Sequence, residues 1–283
     1  DLGTFYHAKA QAIGAADSLK TFMETPLAQA ERGEKALSDN EMISIEARDL
    51  LIKSPAGKVL AGPLSFSLRA GERVVLVGQS GSGKSSLLNT LTGFLPYDGS
   101  LRVNGVELKS LDADRWRRLL SWVGQNPQLP AATLRENVLL SCPDATEAQL
   151  QLALDKAWVS EFLSLLPQGI NTPVGDQAGH LSVGQAQRVA VARALLVPCR
   201  LLLLDEPAAS LDAHSEQRVM QALTNASTQQ TTLMVTHQLE GLANWDAVWV
   251  MQDGQIVEQG SYSQLAAAGG PFATLLAHRQ EEI

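Results

Sequence analysis

Apolar residues along this chain change their spacing from segment to segment, and each change predicts a different kind of element. Early on, Ala8, Ala12, Ala15, Ala16, Leu19, Phe22 and Met23 recur at three- and four-residue steps, the period of one helix face. Pro26 ends that pattern. The polar run Glu31-Arg32-Gly33-Glu34-Lys35, followed by Ser38-Asp39-Asn40, reads as a linker. Residues 1–41 are thus expected to form an N-terminal helix and linker, and residues 42–283 a separate domain. From Met42 short β-like runs take over, at 43–47, 64–68, 73–77 and 101–103, with turn signals such as Ala70-Gly71-Glu72 and Asp98-Gly99-Ser100 between them. Residues 112–196 read as a mostly helical subdomain with loops near 125–130 and 167–179, and strand patterns return at 201–204, 232–236 and 247–251. Strands alternating with helices imply an α/β fold with a parallel core sheet. The early hairpin-like runs predict an antiparallel β subdomain on its flank.

Composition adds exclusions. A 283-residue chain with 45% hydrophobic and 18% charged residues can bury a substantial core. The net charge of -8 argues against a nucleic-acid partner, which calls for a positive field. The apolar run at 201–204 meets Asp205 and Glu206 at once, far short of the ~20 residues of a membrane span. Cys142 and Cys199 form no CxxC pair and fit a reducing compartment. The chain opens on Asp1-Leu2-Gly3 without an initiator methionine, so an upstream domain is expected to feed the N-terminal helix.

The chemistry is concentrated in two segments. Gly78-Gln79-Ser80-Gly81-Ser82-Gly83-Lys84-Ser85 matches the G-x-x-x-x-G-K-[ST] phosphate loop in full, with an apolar strand before it and a helix-forming run from Ser86 after it. Glycines let backbone N–H groups close around phosphates, and the helix N-terminus adds a favourable dipole. Lys84 can neutralise phosphate charge and the Ser85 hydroxyl can ligate Mg²⁺. The second segment is the leucine run ending in Asp205 and Glu206. A continuous apolar run marks a central parallel strand, and open α/β sheets bind ligands beyond such strand ends. Asp205 is placed to hold Mg²⁺, and Glu206 to polarise an attacking water as general base. A glycine-rich turn with an incidental lysine, or a solvated strand end, would explain either segment alone but not the pair.

With those segments in place, residues 42–283 resemble an ATP-binding cassette (ABC) ATPase, because further elements follow in that family's order. Gln125 in Val123-Gly124-Gln125-Asn126-Pro127 resembles the Q-loop glutamine, a Mg²⁺ ligand that relays to a transmembrane part. Leu181-Ser182-Val183-Gly184-Gln185 resembles the signature, Ser210-Leu211-Asp212 the D-loop, and His237 the switch histidine at the γ-phosphate. The resemblance implies paired cassettes sandwiching two ATP molecules, each signature completing the partner's site. It also implies ATP and Mg²⁺ binding along residues 78–86, and hydrolysis by Lys84, Glu206 and His237. Thr133-Leu134-Arg135-Glu136-Asn137-Val138 and Thr172-Pro173-Val174-Gly175-Asp176 resemble exporter segments. Within the exporters, the stretch from Leu204 to His214 and that from Gly270 to Arg279 resemble subunits of heterodimeric bacterial inner-membrane exporters of small thiols. That implies a cassette on the cytoplasmic face, a homologous second subunit, and export of cysteine and glutathione supporting cytochrome bd assembly. An exporter of haem, lipid or peptide, a soluble ABC ATPase acting on DNA or ribosomes, and a small-molecule kinase are the alternatives weighed.

Two positions depart from the family pattern. Ser54 stands where an aromatic usually stacks on adenine, and no aromatic lies in residues 43–63. Loss of stacking, typically ~1–3 kcal/mol, is expected to weaken nucleotide binding about 5- to 150-fold. Val183 replaces the first signature glycine. A β-branched residue neither takes positive φ freely nor lets a ligand approach the backbone, so the site completed by this signature is expected to be slow.

Overall fold

The computed structural model describes residues 33–38, 40–175, 181–209, 211–227 and 230–280, with backbone alone for 278–280. The expected N-terminal helix, Asp176 of the second exporter-like segment and Ser210 lie outside the described residues. Of the expected linker, Lys35 pairs in parallel with Leu111, its N–H donating to the Ser110 carbonyl at 3.0 Å.

An antiparallel hairpin of β1 (Ile45–Lys53) and β2 (Val59–Leu68) comes first. Strand β3 (Arg73–Val77) then leaves for a second sheet, helix α1 (Lys84–Leu91) follows, and β4 (Tyr97–Val103) and β5 (Val106–Glu107) return to the first. The result is a four-stranded antiparallel sheet in the order β2-β1-β4-β5. Next come α2 (Ala113–Arg118), β6 (Leu120–Val123) and β7 (Ala132–Thr133). A helical region follows, built from α3 (Leu134–Leu139), α4 (Glu147–Lys156) and α5 (Ser160–Leu163), the short β8 (Pro173–Val174) and α6 (Val183–Leu196). The chain closes with β9 (Leu201–Asp205), α7 (Ala213–Ala226), β10 (Thr231–Val235), β11 (Ala247–Gln252), β12 (Gln255–Gly260), α8 (Tyr262–Ala267) and α9 (Pro271–Gln280).

Six of these strands form the core sheet, ordered β12-β11-β3-β10-β9-β6 and parallel except for β12. Its middle strands are mostly apolar because both faces are covered, with Thr231 and Thr232 of β10 buried among them. Pleating splits each run between two cores. Val75, Val77, Leu202, Leu204, Met234 and Val250 share a cluster with Leu150 and Leu154 of α4, Val189 of α6 and Leu223 of α7. Their neighbours Val74, Leu76, Leu201, Leu203, Leu233 and Trp249 share the other with Leu87, Leu88 and Leu91 of α1 and with Ile45, Ile52 and Leu101 of the antiparallel sheet. Helices α3, α4, α6 and α8 each start on a reciprocal Ser/Thr–Glu/Gln capping box, which satisfies first-turn N–H groups and sets where the helix begins.

The expected α/β fold with a flanking antiparallel sheet is present, with differences at its edges. Residues 120–123, expected within a helical region, form edge strand β6, and 255–260 form edge strand β12. An edge strand alternates or mixes its exposure, as β12 does residue by residue, and shows no unbroken apolar run. The strand expected over 43–47 continues to Lys53 through a register shift between Ala47 and Leu50, where Asp49 takes φ 48°.

Candidate nucleotide site

Lys84, Ser85, Gln125, Glu206 and His237 all come from segments just beyond the ends of parallel strands β3, β6, β9 and β10. The topology brings them to one edge of the sheet because those strands run in the same direction.

The loop from Gly78 to Gly83 turns β3 into α1. Gly78 has φ 152°, and a Cβ there would sit 2.1 Å from the Met251 carbonyl oxygen; Gly83 has φ 102°, and its Cβ would meet Ala61 Cβ at 2.9 Å. Both positions therefore need glycine, for left-handed backbone and for close approach. The buried Lys84 ammonium donates to the Gly78 and Gln79 carbonyls at 2.8 Å each, so it lies within the loop's curve. Burial pulls Lys84 below the ordinary lysine pKa, against the opposing pull of the Glu206 and Asp205 carboxylates. The Ser82 hydroxyl is buried without a hydrogen-bond partner. An orphan hydroxyl of this kind, beside a lysine and a row of loop N–H groups, fits a phosphate-bearing ligand.

Ser85 Oγ donates to Asp205 Oδ1 at 3.2 Å. Burial raises the Asp205 carboxyl above the usual aspartate value, with the Ser85 hydroxyl opposing, Glu206 adding to the rise, and Lys84 opposing. A hydroxyl and a carboxylate are hard oxygen donors that suit Mg²⁺. Among the described residues no group of three or more His, Cys, Asp or Glu could hold a metal, and Mg²⁺ at phosphate sites asks for only one or two carboxylates.

Glu206 occupies left-handed backbone, φ 47°, with its N–H donating to the Val235 carbonyl at 2.9 Å. Its Oε2 accepts from Gln125 Nε2 at 3.0 Å and lies 3.4 Å from His237 Nδ1. One carboxylate oxygen thus gathers the glutamine and the histidine expected at this site. The Glu206 side chain is 20% exposed and His237 57%, so the carboxylate sits inside with the imidazole at the mouth.

The signature residues Leu181, Ser182, Val183, Gly184 and Gln185 make no hydrogen bond to the phosphate loop among the described residues. Ser182 caps α6: its Oγ accepts from the Gln185 N–H at 3.2 Å, and Gln185 Oε1 accepts from the Ser182 N–H at 2.9 Å. Val183 begins the helix in ordinary helical backbone, so the expected φ penalty for a non-glycine residue does not arise. Its exposed side chain adds bulk instead. Gly184 needs its small size, since a Cβ there would lie 2.7 Å from Ser215 Oγ. In the D-loop segment Leu211 is partly buried against the core, and Asp212 caps α7 by accepting from the His214 and Ser215 N–H groups at 3.1 and 3.0 Å. The Ser215 N–H and hydroxyl, foremost, hold its carboxyl below the usual range. The two exporter-like segments meet, as β7 pairs Ala132 with Val174 and Thr133 with Pro173 of β8.

Ser54 is taken up by the β1–β2 turn, where its Oγ accepts from the Lys58 N–H at 3.1 Å. Beside it lies an aliphatic wall that the sequence pattern did not reveal. Val59, Leu60, Ala61 and Gly62 line a cleft of about 520 Å³ together with Gln79, Ser80, Gly81 and Ser82 of the loop and the turn at Gln252, Asp253 and Gly254. Val59 and Leu60 keep 49% and 37% of their surface exposed. Their only signal in the sequence is a short apolar pair, which reads as the start of a strand.

A phosphate loop, an acidic strand end, and a glutamine and histidine converging on one glutamate define a nucleotide-hydrolysing cassette. The chain belongs to the ABC transporter family, whose model matches residues 61–209. It is 75% identical over its whole length to the glutathione/L-cysteine transport system ATP-binding/permease protein CydD of Escherichia coli, and 60% identical to the transport ATP-binding protein AarD of Providencia stuartii. It covers 48% of each, so the chain spans about half the length of these curated relatives. A solved bacterial Atm1-family ABC exporter with ATP bound matches 98% of this chain over 49% of its own, at 28% identity and a TM-score of 0.83.

Proposed function

We propose that this chain is the ATP-hydrolysing motor of a heterodimeric exporter that moves small thiols, glutathione and cysteine, across a bacterial inner membrane in support of cytochrome bd assembly. The cassette sits on the cytoplasmic face, joined to its own upstream transmembrane domain and facing a second, homologous cassette. The 75% identity over the whole chain to CydD carries the cargo reading. The convergence of Gln125 and His237 on Glu206 carries the hydrolytic one.

Residues 78–86 hold the ATP phosphates, with Lys84 swinging from the loop carbonyls to the phosphate charge. Mg²⁺, held by Ser85, Asp205 and Gln125, supplies charge neutralisation when bound. Glu206 takes the proton of the attacking water, and His237 at the mouth donates to the γ-phosphate. Ser182 and the first-turn N–H of Gly184, left free by helix geometry, serve the partner's γ-phosphate. Val183, projecting from the same helix end, makes that second site the slower one.

In the full-length exporter reconstituted with its partner, Glu206→Gln is expected to lower ATP turnover about 10²–10⁴-fold with Mg-ATP binding retained. It should also stop ATP-driven uptake of labelled glutathione and cysteine into inverted vesicles. Turnover near wild type would reverse the assignment of the competent site. Wild-type hydrolysis without thiol uptake would sink the cargo.

A further inference from the structure

One buried side chain outside the sequence-derived site spans both flanks of the catalytic carboxylate. Gln187 lies on α6, 1% exposed. Its Nε2 donates to the Gly124 carbonyl at 2.9 Å and to the Pro207 carbonyl at 2.7 Å, while its Oε1 is buried with no partner. Gly124 directly precedes Gln125, and Pro207 directly follows Glu206. We infer that Gln187 is a positioning residue for hydrolysis, holding the Gln125 and Glu206 backbones in the register that lets their side chains meet at 3.0 Å.

Two physical points carry this. Glu206 sits at φ 47°, a conformation that persists in a non-glycine residue only when its surroundings over-determine it. The Val235 carbonyl restrains its N–H, the Ala209 N–H binds its carbonyl at 3.0 Å, and Gln187 restrains the next residue. Its bare buried oxygen is unfavourable, whereas the two bonds donated by Gln187 satisfy the Gly124 and Pro207 carbonyls, so the amide joins the two segments as well as filling space. The same helix begins at Ser182 and Val183, so Gln187 also couples the surface offered to a partner cassette to this chain's own catalytic glutamate.

The role rests on the ATPase reading above. Its test uses the full-length exporter with its partner, comparing Gln187→Leu and Gln187→Glu for ATP turnover, KM for Mg-ATP and thermal melting between pH 6 and 9. Gln187→Leu should lower kcat about 10- to 100-fold, the scale of a small misplacement of a catalytic group, with KM near wild type and a melting temperature lowered by the two carbonyls left unpaired. The carboxyl introduced by Gln187→Glu would lie buried, which raises its pKa, so its neutral, hydrogen-donating form prevails at the lower pH. Gln187→Glu should therefore regain turnover relative to wild type as pH falls, while Gln187→Leu should not. A kcat for Gln187→Leu within about twofold of wild type overturns the role, as does a kcat deficit in Gln187→Glu that does not ease as pH falls. Should Gln187→Leu fail to fold, a pH-independent ratio for Gln187→Glu overturns it equally. A wild type without any turnover removes instead the ATPase reading beneath.

Discussion

Replacing both Val59 and Leu60 by serine tests whether the cassette grips a nucleotide base without an aromatic ring. Full burial of a valine or leucine side chain is worth about 1.5–3 kcal/mol. With 49% and 37% of these residues still exposed, a base closing over them gains about 1 kcal/mol from each. Losing both should weaken Mg-ATP binding roughly 30-fold. Titration calorimetry on the full-length protein measures this, with pyrophosphate as a second ligand that engages the loop and has no base to cover the wall. The expected pattern is weakened ATP and unchanged pyrophosphate. An ATP affinity within about twofold of wild type, or an equal loss for pyrophosphate, would refute the aliphatic-wall reasoning. The variant keeps both cores intact, since Val59 and Leu60 belong to neither buried cluster, so melting should hardly move.

The complementary change, Ser54→Tyr, gives up one turn hydrogen bond from Lys58 and adds a ring where the family stacks its base. Tighter ATP binding, about 5- to 150-fold, together with a shifted ATP-to-GTP preference is the expected result, and unchanged binding would count against a missing platform. At the far end of β3, Asp246 accepts from the Arg73 N–H at 2.8 Å and from its Nε and Nη2 at 3.2 and 3.1 Å, and these bonds hold its carboxyl below the usual range. Asp246→Asn should cost about 1 kcal/mol after solvent screening, or about 2–4 °C in melting temperature. An acid with a depressed folded pKa stabilises above its ordinary value and loses that contribution as pH falls through the depressed one. The wild-type advantage should therefore be full at neutral pH and fade below about pH 3.9; a difference independent of pH would refute the charge-based account.

Local chemistry can be read from neighbouring residues alone. The phosphate loop is legible because its function belongs to contiguous backbone: glycines at 78, 81 and 83, then Lys84 and Ser85, need only a strand before and a helix after. Strand β9 is legible because its doubly covered run is apolar at each position from Leu201 to Leu204, up to the carboxylates that end it. Edge strands β6 and β12 carry no such demand, and their mixed exposure hid them.

The amino-acid sequence by itself determined the class of chemistry, the order of its elements and the groups proposed to perform it. Tertiary structure alone decided how those groups meet. The parallel sheet brings Gln125 and His237 to one oxygen of Glu206, residues 81 and 31 positions away along the chain. It holds Glu206 in left-handed backbone, leaves Val183 in unstrained helix, and places Gln187 between two distant carbonyls. It also sets the aliphatic pair Val59 and Leu60 along the cleft beside the phosphate loop. The reason is one of range. A motif records what a stretch of backbone can do alone, whereas hydrogen bonds across 63 and 81 residues exist only once strands from separate parts of the chain lie side by side.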